Sequence, residues 1–138
     1  TEVNDTAIII SAHYDHLGQL EDAVFTGAND NASGVSMLLT MLKPLKYKTI
    51  FIAFGGEETG LIGSRYYDQN DHRFPLDQTK LIINLDLNGN GEKGVPGFFV
   101  YTLGGPPHYH DVFDTAENLP FSRFEEVREL LLHFLHQF

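Results

Sequence analysis

Lys48-Thr-Ile-Phe-Ile-Ala-Phe-Gly-Gly-Glu-Glu-Thr-Gly60 is the stretch that decides how this chain folds. Its apolar and β-branched run, Ile50 to Phe54, ends at glycines and reads as the central strand of a sheet, buried on both faces as in parallel sheets. Two adjacent carboxylates, Glu57 and Glu58, follow at once. In open α/β sheets the functional crevice lies beyond the carboxyl ends of the strands. Successive residues point in different directions, so one glutamate could bind a metal while its neighbour serves as a free base. The same pair would also be stable as solvated charges at a helix N-terminus, where the backbone dipole favours anions. The flanking sequence separates these readings.

Upstream, residues 6–12 form a short apolar run that reads as a first buried strand ending at His13. Residues 19–30 have no period and read as loop. From Asn31 onward, Val35, Leu38, Leu39 and Leu42 recur at helical spacing, and the pattern stops before Pro44. Downstream of the opening stretch, a short helix is expected near residues 61–68, with its tyrosines packed on the sheet. Pro75 and Asp77 mark a loop, and residues 81–86 form a third buried strand. Residues 88–94 are dense in turn formers, residues 98–102 form a fourth strand, and glycines and prolines at 104–107 close it. Ser122-Arg-Phe-Glu125 has the form of a capping box, and Phe124, Val127, Leu131, Phe134 and Phe138 then share one helical face. Strands alternating with helices imply an α/β fold, a three-layer α/β/α sandwich around a mostly parallel central sheet.

The length of 138 residues fits a single domain spanning 1–138. No apolar run reaches the length of a membrane span, and the acidic stretch Thr1 to Asp5 does not have the layout of a signal peptide. The formal charge of −10 argues against nucleic acid or an anionic membrane as partner. With no cysteine, a metal would have to be held by imidazole and carboxylate.

Such groups stand just past each strand. His13 and Asp15 follow the first, Asp30 precedes the first long helix, and Glu57 and Glu58 follow the central strand. Asp86 follows the third and His110 the fourth. Singly, each has an ordinary structural explanation: Asp30 as a helix cap, Asp86 as a strand end, His110 as a surface loop residue. Their joint occurrence at four strand ends points instead to one metal edge. Two histidines and three carboxylates are donors that zinc accepts. Asp30, Glu58 and Asp86 set three negative charges against the four positive charges of two zinc ions, leaving Glu57 uncoordinated to take and return a proton.

Ala12-His-Tyr-Asp-His-Leu-Gly18, Gly27-Ala-Asn-Asp-Asn-Ala-Ser-Gly34, Gly56-Glu-Glu-Thr-Gly-Leu-Ile-Gly-Ser64, Asn84-Leu-Asp86 and Tyr109-His-x-x-x-Asp-Thr115 resemble, in this order, the motifs of the zinc aminopeptidases with a co-catalytic dinuclear centre. Glutaminyl cyclases and the glutamate carboxypeptidase and transferrin receptor proteins share that fold. The resemblance implies that His13 and Asp86 hold one zinc, that Glu58 and His110 hold the other, and that Asp30 bridges them. It makes Glu57 the general base acting on a zinc-activated water, and it has Asp15 orient His13. It nominates Tyr109 as a donor to the oxyanion, and it implies a cis peptide bond between Asp30 and Asn31. His108 is the runner-up to His110. His16 has no assigned role, His72 reads as solvated, and His133 with His136, three apart on the last helix, could chelate a metal but reads rather as lining a solvated or sheet-edge face. The substrate implied is a peptide with a free N-terminus, and the compartment is secreted or periplasmic. Oligomeric state is left open.

The chain departs from that family between Asp86 and Tyr109, where relatives insert a long segment beside the substrate pocket and this sequence has a short turn-rich joint. Residues 87–97 could span a parallel return only if nearly extended. A wide hairpin would instead make strand 98–102 antiparallel and point His110 at the opposite edge. The shortened pocket leads to an expectation of weak activity and of a weaker second metal site. Two other functions stay open: a glutaminyl-cyclase-like acyltransferase using one zinc, and a non-catalytic peptidase-like binding domain.

Overall fold

The computed structural model describes residues 6–70, 74–86, 95–100 and 107–137. In order, the chain forms β1 (Ala7–His13), a hairpin of β2 (Gly18–Leu20) and β3 (Ala23–Phe25), α1 (Ser33–Thr40), β4 (Lys48–Phe54), α2 (Ile62–Asn70), β5 (Thr79–Leu85), β6 (Gly97–Val100) and α3 (Phe124–Gln137). The main sheet has the order β4-β1-β5-β6, and each of its neighbouring pairs is parallel. Of the two routes left open for the joint after Asp86, the parallel one is observed. The turn-rich residues 88–94 lie outside the described residues, as do residues 101–106, and no described helix is long and apolar enough to cross a membrane.

Alternation along the strands separates two faces. Ile8, Ile10 and Ala12 of β1 join Leu81, Ile83 and Leu85 of β5 on one face, where they pack against Met37 and Leu38 of α1, Met41 just past its end, and Leu131 and Leu135 of α3. Gly34 lets α1 approach: a Cβ there would lie 2.4 Å from the Leu85 carbonyl oxygen. On the other face α2 reaches the sheet through Tyr67, whose ring meets Phe54 edge-on at 5.9 Å. Its neighbour Tyr66 is exposed, so only one of the two tyrosines expected against the sheet packs there.

Several sequence expectations are corrected. The opening stretch is an edge strand among the described residues, pairing only with β1, and its residues Ile50–Phe54 are partly exposed. The fully buried strand is β1, which has a partner on each side. Residues 19–30 are not all loop; the hairpin leaves no periodic trace because its strands are three residues long and its turn is made by Glu21, at φ 53°, rather than by glycine. In α1 and just past its end the buried face is centred on Met37, Leu38 and Met41, while Leu39 and Leu42 point outward. Residues 76–78 form a short 3₁₀ turn. Glu125, which a capping box would turn back toward Ser122, is held by Arg128 at 2.9 Å. Leu135 belongs to the buried face of α3, and Phe138 lies outside the described residues.

Because Leu135 is buried against the sheet and Leu130 is exposed on the same helix, truncation should discriminate between them. Leu135→Ala is expected to lower unfolding free energy by about 2–5 kcal/mol, and Leu130→Ala by less than about 0.5 kcal/mol, in equilibrium urea denaturation.

Candidate metal centre

Strand register assembles the first half of the site. Ser11 on β1 stands opposite Asn84 on β5, and its hydroxyl donates to the Asn84 amide oxygen at 2.6 Å. Two residues further along each strand the side chains return to that face, which sets His13 beside Asp86. His13 Nε2 lies 3.4 Å from Asp86 Oδ1 and 3.1 Å from Asp30 Oδ1. All three residues are at most 5% exposed.

Loops supply the second half. Gly56, at φ 72°, turns the chain after β4 into Glu57 and Glu58. His110, also in the left-handed region at φ 53°, places Nε2 at 3.2 Å from Asp30 Oδ2 and 3.1 Å from Glu58 Oε2. Left-handed backbone outside glycine costs roughly 1–2 kcal/mol per residue and concentrates where a site needs a side chain re-aimed. Asp30 thus offers one carboxylate oxygen to each histidine. Among the described residues, His13–Asp30–Asp86 and Asp30–Glu58–His110 are the two groups whose donor atoms all lie within 4.8 Å of one another. The Asp30–Asn31 peptide bond is cis. The Asn31 side chain donates to the Leu85 carbonyl at 2.8 Å and accepts from the Gly34 N–H at 3.1 Å, which ties this loop to the end of β5.

The donor set fits zinc. Two ligands each about 2.1 Å from a tetrahedral ion stand about 3.4 Å apart, and the four histidine–carboxylate separations run from 3.1 to 3.4 Å. Charge points the same way. Asp30, Asp86, Glu58 and the adjacent Glu57 outnumber the two imidazoles that could oppose them, and uncompensated buried charge is costly unless a cation pairs with it. Burial disfavours a charged His13, yet the carboxylates of Asp30 and Asp86 outweigh it and push the imidazole up to about 10. Burial raises Glu57 above the usual carboxylate range; Asp86, Glu58 and Asp30 add to this and His13 opposes it. Glu58 is raised by burial and by Asp30, against His110 and His13.

Glu57 stands outside both donor groups. It lines, with His13, Asp86, Phe54 and Tyr67, a cavity of about 90 Å³ on the α2 face of the sheet. The adjacent glutamates therefore diverge. Tyr109 stacks its ring on His110, with centroids 3.9 Å apart and planes 20° apart. Burial and the surrounding carboxylates, Asp30 foremost, raise its phenol.

Asp15 meets His13 twice: His13 Nδ1 lies 3.1 Å from its backbone oxygen and 3.7 Å from its carboxylate. The carboxylate accepts the backbone N–H groups of Glu57 at 3.1 Å and Glu58 at 3.2 Å. Asp114, to which the sequence assigns no role, is 3% exposed and bonds to the Asp30 loop; its signal is its place four residues after His110 in the last of the five motifs. The other described histidines stay out of the two groups. His108 packs on Phe113, and His16 accepts the Gly18 N–H. His133 meets Gln137 and His136 the Leu132 carbonyl. His72 lies outside the described residues.

Known proteins with related sequences and folds include several aminopeptidases. Aminopeptidase YwaD of Bacillus subtilis is 37% identical over 107 residues, which cover 74% of this chain and 22% of that protein. An aminopeptidase of Pseudomonas aeruginosa is 31% identical over 118 residues, covering 75% of this chain and 20% of that protein. The structure of BSAP, a zinc aminopeptidase from Bacillus subtilis, superposes with a TM-score of 0.73 over 94% of this chain and 45% of that one, at 22% identity. The chain thus spans under a quarter of the length of these two sequence relatives. The profile described as Peptidase family M28 matches residues 1–95, which include His13, Asp30, Glu57, Glu58 and Asp86 and stop short of His110. This chain belongs to peptidase family M28.

Proposed function

We propose that the chain carries the metal-binding and catalytic core of a zinc aminopeptidase that removes N-terminal residues from peptides. One observation carries the reading: buried Asp30 gives its two carboxylate oxygens to two different histidine–carboxylate pairs, with an uncommitted glutamate beside them. His13 and Asp86 would hold one zinc, Glu58 and His110 the other, and Asp30 would bridge. Zinc at this place supplies Lewis acidity toward a carbonyl oxygen and lowers the pKa of a water.

The residues of the chain do the rest. Glu57, whose proton affinity is raised by burial and by neighbouring carboxylates, takes the proton of the attacking water and passes it to the leaving amine. Tyr109 stays a neutral phenol and is a donor for the developing oxyanion. The carboxylates at this edge attract the α-ammonium group of a peptide. A one-zinc acyltransferase would need only one of the two donor groups, and a binding domain would have no use for Glu57. A joint as short as that between Asp86 and Val95 would leave less wall beside a substrate than a long insertion does, and misplacing a reacting group by about 1 Å costs around 10²-fold. Turnover is therefore expected to fall below that of the longer relatives.

Glu57→Gln keeps shape but cannot accept a proton. Zinc content is expected to stay at the wild-type level while turnover of an aminoacyl substrate falls on the order of 10²–10⁴-fold. Loss of zinc in that variant would mean that Glu57 and Glu58 have exchanged roles.

The raised imidazole of His13 yields a pH prediction. In the metal-free protein its proton stabilises the fold fully below about pH 6.5, the ordinary value, and this contribution is lost as pH rises through about 10. Zinc needs the neutral ring, so binding must expel that proton. Calorimetry in buffers of different ionisation enthalpy should show about one proton or more released per chain at pH 7. Affinity should rise with pH toward 10, and zinc binding at pH 7 without proton release would contradict the assignment of His13.

A further inference from the structure

His110 lies beyond a short joint and in the part of the chain that the family profile does not reach, yet its ring meets Asp30 and Glu58. The residues that follow it tie it to the rest of the site. Asp114 is bonded to the Asp30 loop four times over. Its carboxylate accepts the backbone N–H of Asn29 through Oδ1 at 2.7 Å and that of Asp30 through Oδ2 at 3.0 Å. Its carbonyl accepts the Ala28 N–H at 3.1 Å and the Thr26 hydroxyl at 2.5 Å.

We propose that Asp114 is a positioning residue for the metal centre: its carboxylate fixes the backbone of Asn29 and Asp30 and latches the segment bearing His110 onto the loop bearing the shared carboxylate. The proposal rests on the metal-centre reading above. Hydrogen bonds to an ionised acceptor are about twice as strong as neutral ones, and two consecutive N–H donors on one carboxylate fix the peptide planes on both sides of Asn29. The His110 end is equally constrained. Asp114 donates its N–H to the Asp111 carbonyl, and Asp111 Oδ1 accepts the Phe113 N–H, so residues 108–114 form a tight turn rather than a free arm.

Asp15 repeats the device at the other histidine. It stands two residues after His13 and takes the N–H groups of Glu57 and Glu58, as Asp114 stands four residues after His110 and takes those of Asn29 and Asp30. Each histidine segment is thus joined to a carboxylate segment by an aspartate that grips the ligand's own backbone. The ligand spacing depends on these grips.

The test compares zinc affinity in three folded proteins at a temperature well below their melting points. Asp114→Asn keeps the shape but has one oxygen to offer two amides, and its zinc Kd should rise about 10–100-fold. Thr26→Val removes a bond to the Asp114 carbonyl without touching the carboxylate, and its Kd should stay within about threefold of wild type. Equal weakening in both variants, or wild-type affinity in Asp114→Asn, would overturn the proposal. A wild type that binds no zinc would sink the metal-centre reading first. If Asp114→Asn does not fold, amide hydrogen exchange in the metal-free wild type decides: protected amides at Asn29 and Asp30 support the grip, and freely exchanging ones overturn it.

Discussion

The carboxylate of Asp30 is the constraint on which the site depends. One oxygen faces His13, on the first strand of the sheet, and the other faces His110, near the far end of the chain. A carboxylate that is 5% exposed and shared in this way requires two chain segments, far apart in sequence, to arrive at fixed distances from it. The parallel sheet supplies one of them through register, since the pairing of Ser11 with Asn84 brings His13 and Asp86 level. The other arrives through loop hydrogen bonds. The negative charge concentrated there is the physical reason for expecting a cation.

Much of this was legible in the sequence because the ligands stand just past short apolar runs. In the run of residues 81–85, Leu81, Ile83 and Leu85 are buried, and Asp86 follows directly at the carboxyl end of the strand. Composition excluded thiolate sites, and the resemblance assigned the two adjacent glutamates different roles. The place of the opening stretch within the sheet was not legible. A parallel edge strand and a central one have the same apolar composition, and only pairing tells them apart: β1 has two partners and β4 one among the described residues. Periodicity turns Leu39 and Leu42 of α1 inward because leucine counts as strongly as methionine in a repeat, whereas Met37 and Met41 fill the core.

Hydrogen bonds from side chain to distant backbone were the other blind spot. The resemblance makes Asp15 a partner for the His13 ring, and nothing in it says that the same carboxylate also serves amides more than 40 residues on. Asp114 lies in plain view inside a motif, but nothing in local spacing says that an aspartate will reach across 84 residues to a loop amide. Such contacts depend on where two loops meet, which is a property of the assembled sheet. They also tie the segment bearing His110 to the Asp30 loop from its C-terminal side, at Asp114.

The central claim is that Asp30 bridges two cations. Diffraction from crystals grown with zinc, recorded just above and below its absorption edge, would locate the ions directly. The account predicts two anomalous peaks per chain, one within about 2.2 Å of each Asp30 carboxylate oxygen, with His13 and Asp86 on the first and Glu58 and His110 on the second. A single peak held by His13, or peaks confined to other histidines such as His133 and His136, would contradict it.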